Sequence, residues 1–566
     1  MNKNIDGCIE HNIKRLKEYS IIPGTVLGAV LVGILFNFSY SLNSVFWGSY
    51  GGVASIGKLV LLSPHSLLLS LMVTIVSYIL IKNANEYIDK ITFKKCAHQG
   101  KRTFIIAFTC CLLCWSFWFA AFYPGTGMND TLNCIMYQYD SENQPILFQI
   151  LIWNGIRFGM TLFGSMTSSY AMLVVIQMII MAYLIAKTVS WVELKTSQKV
   201  IVHCVMTYYA LLPLVADYST ALLKDSLYAV FVARFTIYSY EAIITNGKGV
   251  CRAKNYLAIL VDAVCICAFR NNGKIVVLIT LCGILCACHY GKKAIISMIC
   301  LICLLTAGIT NLEKNNFQTD VEFRESIGVP LAQIGAVLND PNSKLSEDDL
   351  NTLNNVLPIE NWKNNYQPSF VDRIKFHEKF DNNWLNKNKA IFIKTWWHIV
   401  SNNLMTSIKA YMCHSYGYWS LMPFPPDESQ SVFTAINNNT SPESVWGLFC
   451  SENNLQNHSL FPQSISGMIT YALQSYCLVN MLVTPGFMIM LICIAVAMLV
   501  KRRGKRIIVV LLPVYVNWGT MMIASPASLI YRYSFYLLLI SPIVYAMLVG
   551  LHGEMENQNS NLCPLK

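Results

Sequence analysis

The chain has 566 residues, of which 54% are hydrophobic and only 13% charged, with a mean hydropathy of +0.44. A soluble protein of this size carries about a quarter charged residues, so much of this chain is excluded from water. Several uninterrupted apolar runs reach the ~18–20 residues that cross a bilayer as helix. They lack the alternation of a porin-like barrel. The net charge of +11 follows from where the cations sit in loops and implies no nucleic-acid partner.

In chain order, the polar start (residues 1–20) holds Lys3, Lys14, Arg15 and Lys17 and is followed by a long apolar run without a small-residue cleavage motif. It reads as a retained first membrane helix. The pattern predicts about twelve membrane helices, near 20–42, 59–82, 103–123, 168–190, 198–216, 220–243, 255–269, 273–290, 294–311, 480–500, 507–524 and 528–549. The expected architecture is an all-α membrane protein. Residues 1–311 form an N-terminal transmembrane region and 312–479 an extracytoplasmic segment of helices and loops. Residues 480–550 form the C-terminal transmembrane helices and 551–566 a tail.

Orientation follows from Lys and Arg in short loops. Six lie between Lys82 and Arg102, five in KRRGKR (501–506), three each near 187–199 and 244–254, and Lys292 and Lys293 mark another loop. Twelve crossings put all of these on one side, the cytoplasm, together with both termini. The segment 312–479 instead holds 16 Asp/Glu against 11 Lys/Arg, and no Lys or Arg occurs between Lys409 and Lys501.

Residues 124–167 follow the third span and must start and end outside. Within them PILFQILIWNGIRFG (145–159) is apolar but interrupted by Asn154, Gly155 and Arg157, which suits a helix lying in the outer interface. Ser346 followed by Asp349 in LSEDDLNTLNNVL (345–357) predicts a capping box. The Trp-rich, amphipathic run 389–412 is expected to rest on the membrane surface. Most of the 20 cysteines sit in apolar runs as small buried hydrophobes; Cys413 and Cys450, in the outer segment, could pair.

Ionisable residues at membrane depth are costly and mark candidate sites. Asp130, beside Asn129 in YPGTGMNDTLN (123–133), could act as a general base, hold a divalent cation such as Mg2+ or Mn2+, or cap the next helix. Lys224 and Asp225 open a long apolar helix and, being adjacent, point to different faces. Either faces a cavity or forms a buried ion pair. Arg270, Asn271 and Asn272 form FRNNGK between two spans, where Arg can grip a phosphate with its planar fork or serve as an ordinary interfacial cation. Arg532, between Tyr531 and Tyr533, either joins such a site or snorkels to the interface. By the loop-charge orientation all of these face the outer half of the membrane. No P-loop, dinucleotide fingerprint, H-E-x-x-H or G-x-S-x-G occurs.

The stretches YPGTGMND (123–130), ENQPILFQILI (142–152), LLKDSLYA (222–229), FRNNGK (269–274), ESIGVPLAQIGAVL (325–338), YQPSFVDRIKF (366–376) and YRYSFY (531–536) carry a resemblance. Over roughly 100–550 the chain resembles a poorly characterised family of multi-pass proteins of Gram-positive bacteria. That family is similar to GT-C glycosyltransferases, the superfamily of the protein O-mannosyltransferases. The resemblance implies a cell-membrane enzyme that takes a sugar from a polyprenyl-phosphate donor and passes it to a glycan, lipid or protein acceptor at the outer face. It puts the catalytic acid on Asp130 and donor-phosphate contacts on Arg270, Lys224 and Arg532. Asn129, Asp225 and Asn271 are further substrate-binding candidates, and Trp362, Trp396, Trp397 and Trp419 are candidate sugar platforms. The chain departs from the GT-C pattern at Asn129, where many members carry a second acid. It departs again at Gln144-Pro145, where relatives are expected to have His before Pro. Two other readings compete: a transporter or flippase of lipid-linked glycans, with Asp262 inside a span, and a non-catalytic envelope assembly factor.

Overall fold

The computed structural model describes residues 25–43, 56, 59–90, 100–138, 144–312, 323–422, 443–478, 480–524 and 527–561. The N-terminal half comprises α1 (Thr25–Asn43), α2 (Pro64–Lys90), α3 (Gly100–Ala121), α4 (Asn129–Met136), α5 (Ile146–Phe163), α6 (Met166–Thr196), α7 (Lys199–Leu211), α8 (Pro213–Thr220), α9 (Lys224–Ile244), α10 (Ala253–Phe269), α11 (Gly273–Ala287) and α12 (Lys292–Leu312). Among the described residues, ten helices of the chain are long and apolar enough to cross a membrane, and an eleventh if the bent pair α7–α8 counts as one span. Their outward faces are apolar too: on α2 alone, Leu67, Leu68, Leu71, Met72, Ile75, Val76, Ile79 and Leu80 are 48–62% exposed. A continuous face of this kind is stable only against lipid or another apolar surface. The chain is a multi-pass helical membrane protein.

Contacts divide the bundle into two ends. At one, Lys195 on α6 bridges Glu241 near the end of α9 at 2.9 Å, Tyr290 N–H donates to Asn246, and Gly550 packs on Lys195. At the other, Gln177 of α6 donates to the Ser219 and Ala221 carbonyls just ahead of α9, and Lys274 donates to Thr310 at the end of α12. The two levels are roughly 27 Å apart, from the 18 residues between Gln177 and Lys195 at 1.5 Å each, close to the thickness of a hydrocarbon core. The described cation-rich loops, near 187–199, 244–254, 292–293 and 501–506, all fall at the first end. Helices α10 and α11, with 17 and 15 residues, are short for spans, yet both join the same two ends.

Helix α5 is an informative case. With 18 residues it is among the ten helices long and apolar enough to cross a membrane, and it runs unbroken through Asn154, Gly155 and Arg157. Gln144, just before it, meets Lys224 at the start of α9, and its C-terminus leads through Gly164 into the start of α6. It packs antiparallel along the first half of α6, with Gly155 beside Leu173 and Gly159 beside Ser169. Gly155 and Gly159 make this possible: added Cβ atoms would lie 2.5 Å from Leu173 and 2.7 Å from Ser169 of α6, so the two backbones pack directly, as small residues permit.

The spans expected at 198–216 and 220–243 are divided differently. α7 and α8 form one path bent by 53° at Leu212, where Pro213 takes the first position of the new helix. The chain is then extended over 221–223 before α9 starts. Non-helical backbone at membrane depth survives only where protein satisfies its polar groups. Here Leu222 N–H donates to Thr126 and Thr126 N–H to Thr220, and Ala221, Leu222 and Leu223 are at most 4% exposed.

The large segment is a helical layer made of α13 (Gly328–Leu338), α14 (Glu347–Val356), α15 (Ile359–Asn365), α16 (Asp372–Lys375), α17 (Asn382–Lys387), α18 (Lys389–Asn402), α19 (Leu404–His414), α20 (Tyr416–Trp419), α21 (Val445–Glu452) and α22 (Gln463–Leu478). The apolar α13 forms its centre: every residue from Pro330 to Leu338 is buried, and Gln333 ties it to Trp396 and the Ser407 carbonyl. The capping box forms as expected, with Ser346 and Asp349 bonding reciprocally. The run 389–412 is not one surface helix; it breaks at Asn403 and packs on α13 and α14. Cys413 and Cys450 are both free thiols, so the contemplated disulfide does not form. The remaining helices, α23 (Pro485–Arg503), α24 (Leu512–Ala524) and α25 (Phe535–Asn561), return to the bundle. The segment sits on them at the α9-start end: Tyr418 donates to the Ala527 carbonyl, and Gly417 packs on Ser528.

Candidate functional site

Asp130 lies in the first turn of α4, where Met128 takes the capping position and no side chain caps the helix. The capping role considered for Asp130 is therefore not what it does. The link ahead of it is clamped on three sides. Asn457 donates to the Phe122 and Gly125 carbonyls, Tyr170 donates to the Thr126 carbonyl at 2.8 Å, and Thr126 pairs with the extended 220–222 stretch. Gly125 adopts φ +113°, and a Cβ there would fall 2.6 Å from Val174, so only glycine fits this turn.

This scaffold aims the carboxylate at two cations. Asp130 Oδ2 accepts from Lys224 Nζ at 3.1 Å and from Arg532 Nη1 at 2.8 Å. Lys224 also donates to Gln144 Oε1. Burial opposes the ionised carboxylate, but the Arg532 and Lys224 charges outweigh it and hold Asp130 well below the usual carboxylate range. Arg532 is nine-tenths buried, not snorkelled. Its Nη2 donates to Tyr533 at 3.0 Å, while its Nε is buried without a hydrogen-bond partner.

The adjacent charges at the start of α9 diverge, as adjacency demands. Lys224 turns to Asp130, whereas Asp225 meets Arg270 at 3.2 Å in a buried ion pair. Tyr533 joins the two halves: its ring lies 5.1 Å from the Arg270 guanidinium and 4.9 Å from that of Arg532. Tyr228 covers Arg270 from another side at 5.3 Å. Asp130, Lys224, Asp225, Arg270 and Arg532 thus form one cluster drawn from α4, α9, the α10–α11 turn and the approach to α25.

Two expected members stay apart. Asn271 is exposed and Asn129 half-buried, and among the described residues neither side chain makes a hydrogen bond. Their place is taken by Asn272, which donates to Asn517 at 2.9 Å and Thr520 at 2.8 Å, with Tyr228 also donating to Asn517. Sequence reasoning missed Tyr228, Tyr533 and Asn517; the first two sit within three residues of chosen positions, but aromatic residues are too common in spans to stand out. Trp362 and Trp419 are buried in the segment and cannot offer a face to a glycan. Trp396 is committed to Gln333, and Trp397 alone of the four is largely exposed.

The donor set does not suit a metal. Asp130 is the one carboxylate that is not tied to Arg270 here, and an ammonium and a guanidinium lie within 3.1 Å of it. Among the described residues no group of three His, Cys, Asp or Glu could hold an ion. The arrangement favours an anion, since three cations supply more N–H donors than their neighbours accept.

Residues 138–561 match the model of a family described as a family of unknown function, DUF6020. The match covers Lys224, Asp225, Arg270 and Arg532 and begins eight residues after Asp130. No curated protein matches the chain and no solved structure matches it.

Proposed function

Because the chain belongs to the DUF6020 family, whose function is unknown, its activity must be argued from its own site, and we propose a membrane glycosyltransferase that uses a polyprenyl-phosphate sugar donor. One observation carries the reading: a single carboxylate, Asp130, is framed by Lys224 and Arg532 with Arg270 beside them. An acid for the acceptor and cations for a leaving phosphate are what such a transfer requires. The cation-rich loops at the opposite end support an outer position for this site and cytoplasmic termini, in a GT-C-like bundle of about twelve crossings in the cell membrane of a Gram-positive bacterium.

In the proposed reaction, an acceptor hydroxyl of a glycan, lipid or protein attacks the anomeric carbon with inversion. The acceptor O–C bond forms as the C–O bond to phosphate breaks. The proton passes to Asp130, and the electron pair leaves with the lipid phosphate, neutralised by Lys224 and Arg532 with Arg270 beside them. Asp130→Ala should abolish glycan transfer in membranes while leaving protein abundance intact; full activity in that variant would remove the assignment.

Transport of lipid-linked glycans has one observation in its favour. Arg234, ten residues into α9, pairs at 3.4 Å with the fully buried Asp262 of α10, and ion pairs at such depth mark transport paths. Loss of glycan translocation in Arg234→Met with sugar transfer intact would favour that reading.

A further inference from the structure

We propose that Asp130 is the resting occupant of an anion seat, and that the phosphate of a polyprenyl-phosphate lipid takes its place on Lys224 and Arg532, turning the carboxylate out. The inference rests on the reading that the site receives a phosphate-linked lipid, and not on the sugar transfer itself.

Three features of the cluster lead to it. First, the seat is built from protein on every side. Arg532 is nine-tenths buried and Lys224 nearly so, and the arginine is fixed by the Tyr533 ring and hydroxyl. Second, the carboxylate leaves the seat underfilled. It presents one oxygen, Oδ2, to both cations, while Arg532 Nε remains buried without an acceptor. Arg270 Nη2 has only the sulfur of Met521, at 3.4 Å, a weak acceptor. The phosphodiester of a sugar donor brings two unesterified oxygens and one negative charge, and the monoester left after transfer brings three and a charge nearer −2, so the lipid phosphate can meet donors that Oδ2 alone does not. Third, Asp130 can leave. Its side chain caps no helix, it is the most exposed member of its ion pairs at 22%, and the backbone carrying it is clamped independently of the carboxylate.

The exchange also resolves a chemical conflict. A carboxylate clamped by two cations is a poor base, yet the proposed transfer needs one. If the phosphate draws off Lys224 and Arg532, Asp130 regains basicity only when the donor is seated. An empty site would then not activate water or an acceptor.

The test uses the full-length protein in lipid nanodiscs, titrated with a polyprenyl monophosphate and separately with inorganic phosphate, each with Mg2+ and with a chelator. Asp130→Asn removes the competing charge and should bind the lipid phosphate at least ~10-fold more tightly than wild type, with inorganic phosphate far weaker in both. Unchanged or weaker binding by Asp130→Asn overturns the exchange. Mg2+-dependent wild-type binding that the variant loses overturns it in favour of a metal bridge. Equal affinity for inorganic phosphate overturns the lipid as the source. No binding by either protein overturns the proposal together with the reading beneath it. Should Asp130→Asn not fold, infrared difference spectra of wild type with isotopically labelled aspartate decide. Adding the lipid phosphate should shift an aspartate carboxylate band that is missing in Arg532→Lys, and no shift overturns the exchange.

Discussion

The cluster at Asp130 and the one at Lys375 use the same ingredients in inverse proportion. In the first, one carboxylate is shared by two cations. In the second, one buried lysine, 2% exposed, is shared by Glu325 at 2.8 Å and Asp372 at 3.0 Å. The lysine clasp is closed on itself: it joins the residues ahead of α13 to α16 and is saturated with acceptors. Burial disfavours the Lys375 charge, but Asp372 and Glu325 more than restore it and raise the lysine above its ordinary value. The aspartate cluster instead has donors to spare and lies at the joint between the bundle and the large segment. Stoichiometry, more than burial, separates this strut from the proposed anion seat.

The sharpest way to break this comparison is Asp130→Ala. Loss of a general base costs about 10²–10⁴-fold, so transfer should vanish in a membrane assay, whereas Lys375→Met should leave the turnover of the folded protein unchanged. Next, Arg532→Lys keeps the charge but loses the planar fork and the ring contact, and kcat/KM should fall about 10–100-fold. The effect of pH sharpens the same point. Because Asp130 is held below the usual carboxylate range, its stabilising contribution is present at neutral pH and lost only as pH falls through that depressed value. Arg532→Ala should bring the folded value back toward the ordinary one and so shrink this contribution, read as a flatter fall of thermal stability between neutral and acid pH.

Lys375→Met should destabilise the large segment by about 3 kcal/mol, because it strands two partly buried carboxylates; limited proteolysis of membranes measures this. Its pH dependence has the opposite sign. A lysine whose folded value is raised contributes fully below its ordinary 10.5, and the contribution fades as pH climbs beyond that. The smallest effect belongs to Ser346→Ala, which removes one capping bond of α14 and should cost about 1 kcal/mol, detectable as faster amide exchange in 346–356.

Much of the site was legible because membrane sequences make charge conspicuous. Asp130, Lys224, Asp225, Arg270 and Arg532 stand out against apolar surroundings, and adjacency alone required Lys224 and Asp225 to diverge. The sequence points to Asn271 where the fold uses Asn272, because spacing cannot say which residue of a tight turn faces inward. The tryptophans were overvalued because Trp362 and Trp419 read alike in core and surface. The break at 221–223 was invisible, since Leu222 and Leu223 look like any span and only the distant Thr126 backbone satisfies them.

By itself the sequence determined that this chain lives in a membrane, roughly where its helices run, which loops share a side and which ionisable residues need explaining. Hydropathy and loop charge are local, and a bilayer converts them directly into topology. Tertiary structure alone decided that α5 packs along α6, which cation meets which carboxylate, and that Tyr533 couples the two arginines. Those outcomes depend on residues up to 402 positions apart, as between Arg532 and Asp130. Charge balance within a buried cluster belongs to the packed chain, not to any segment of it.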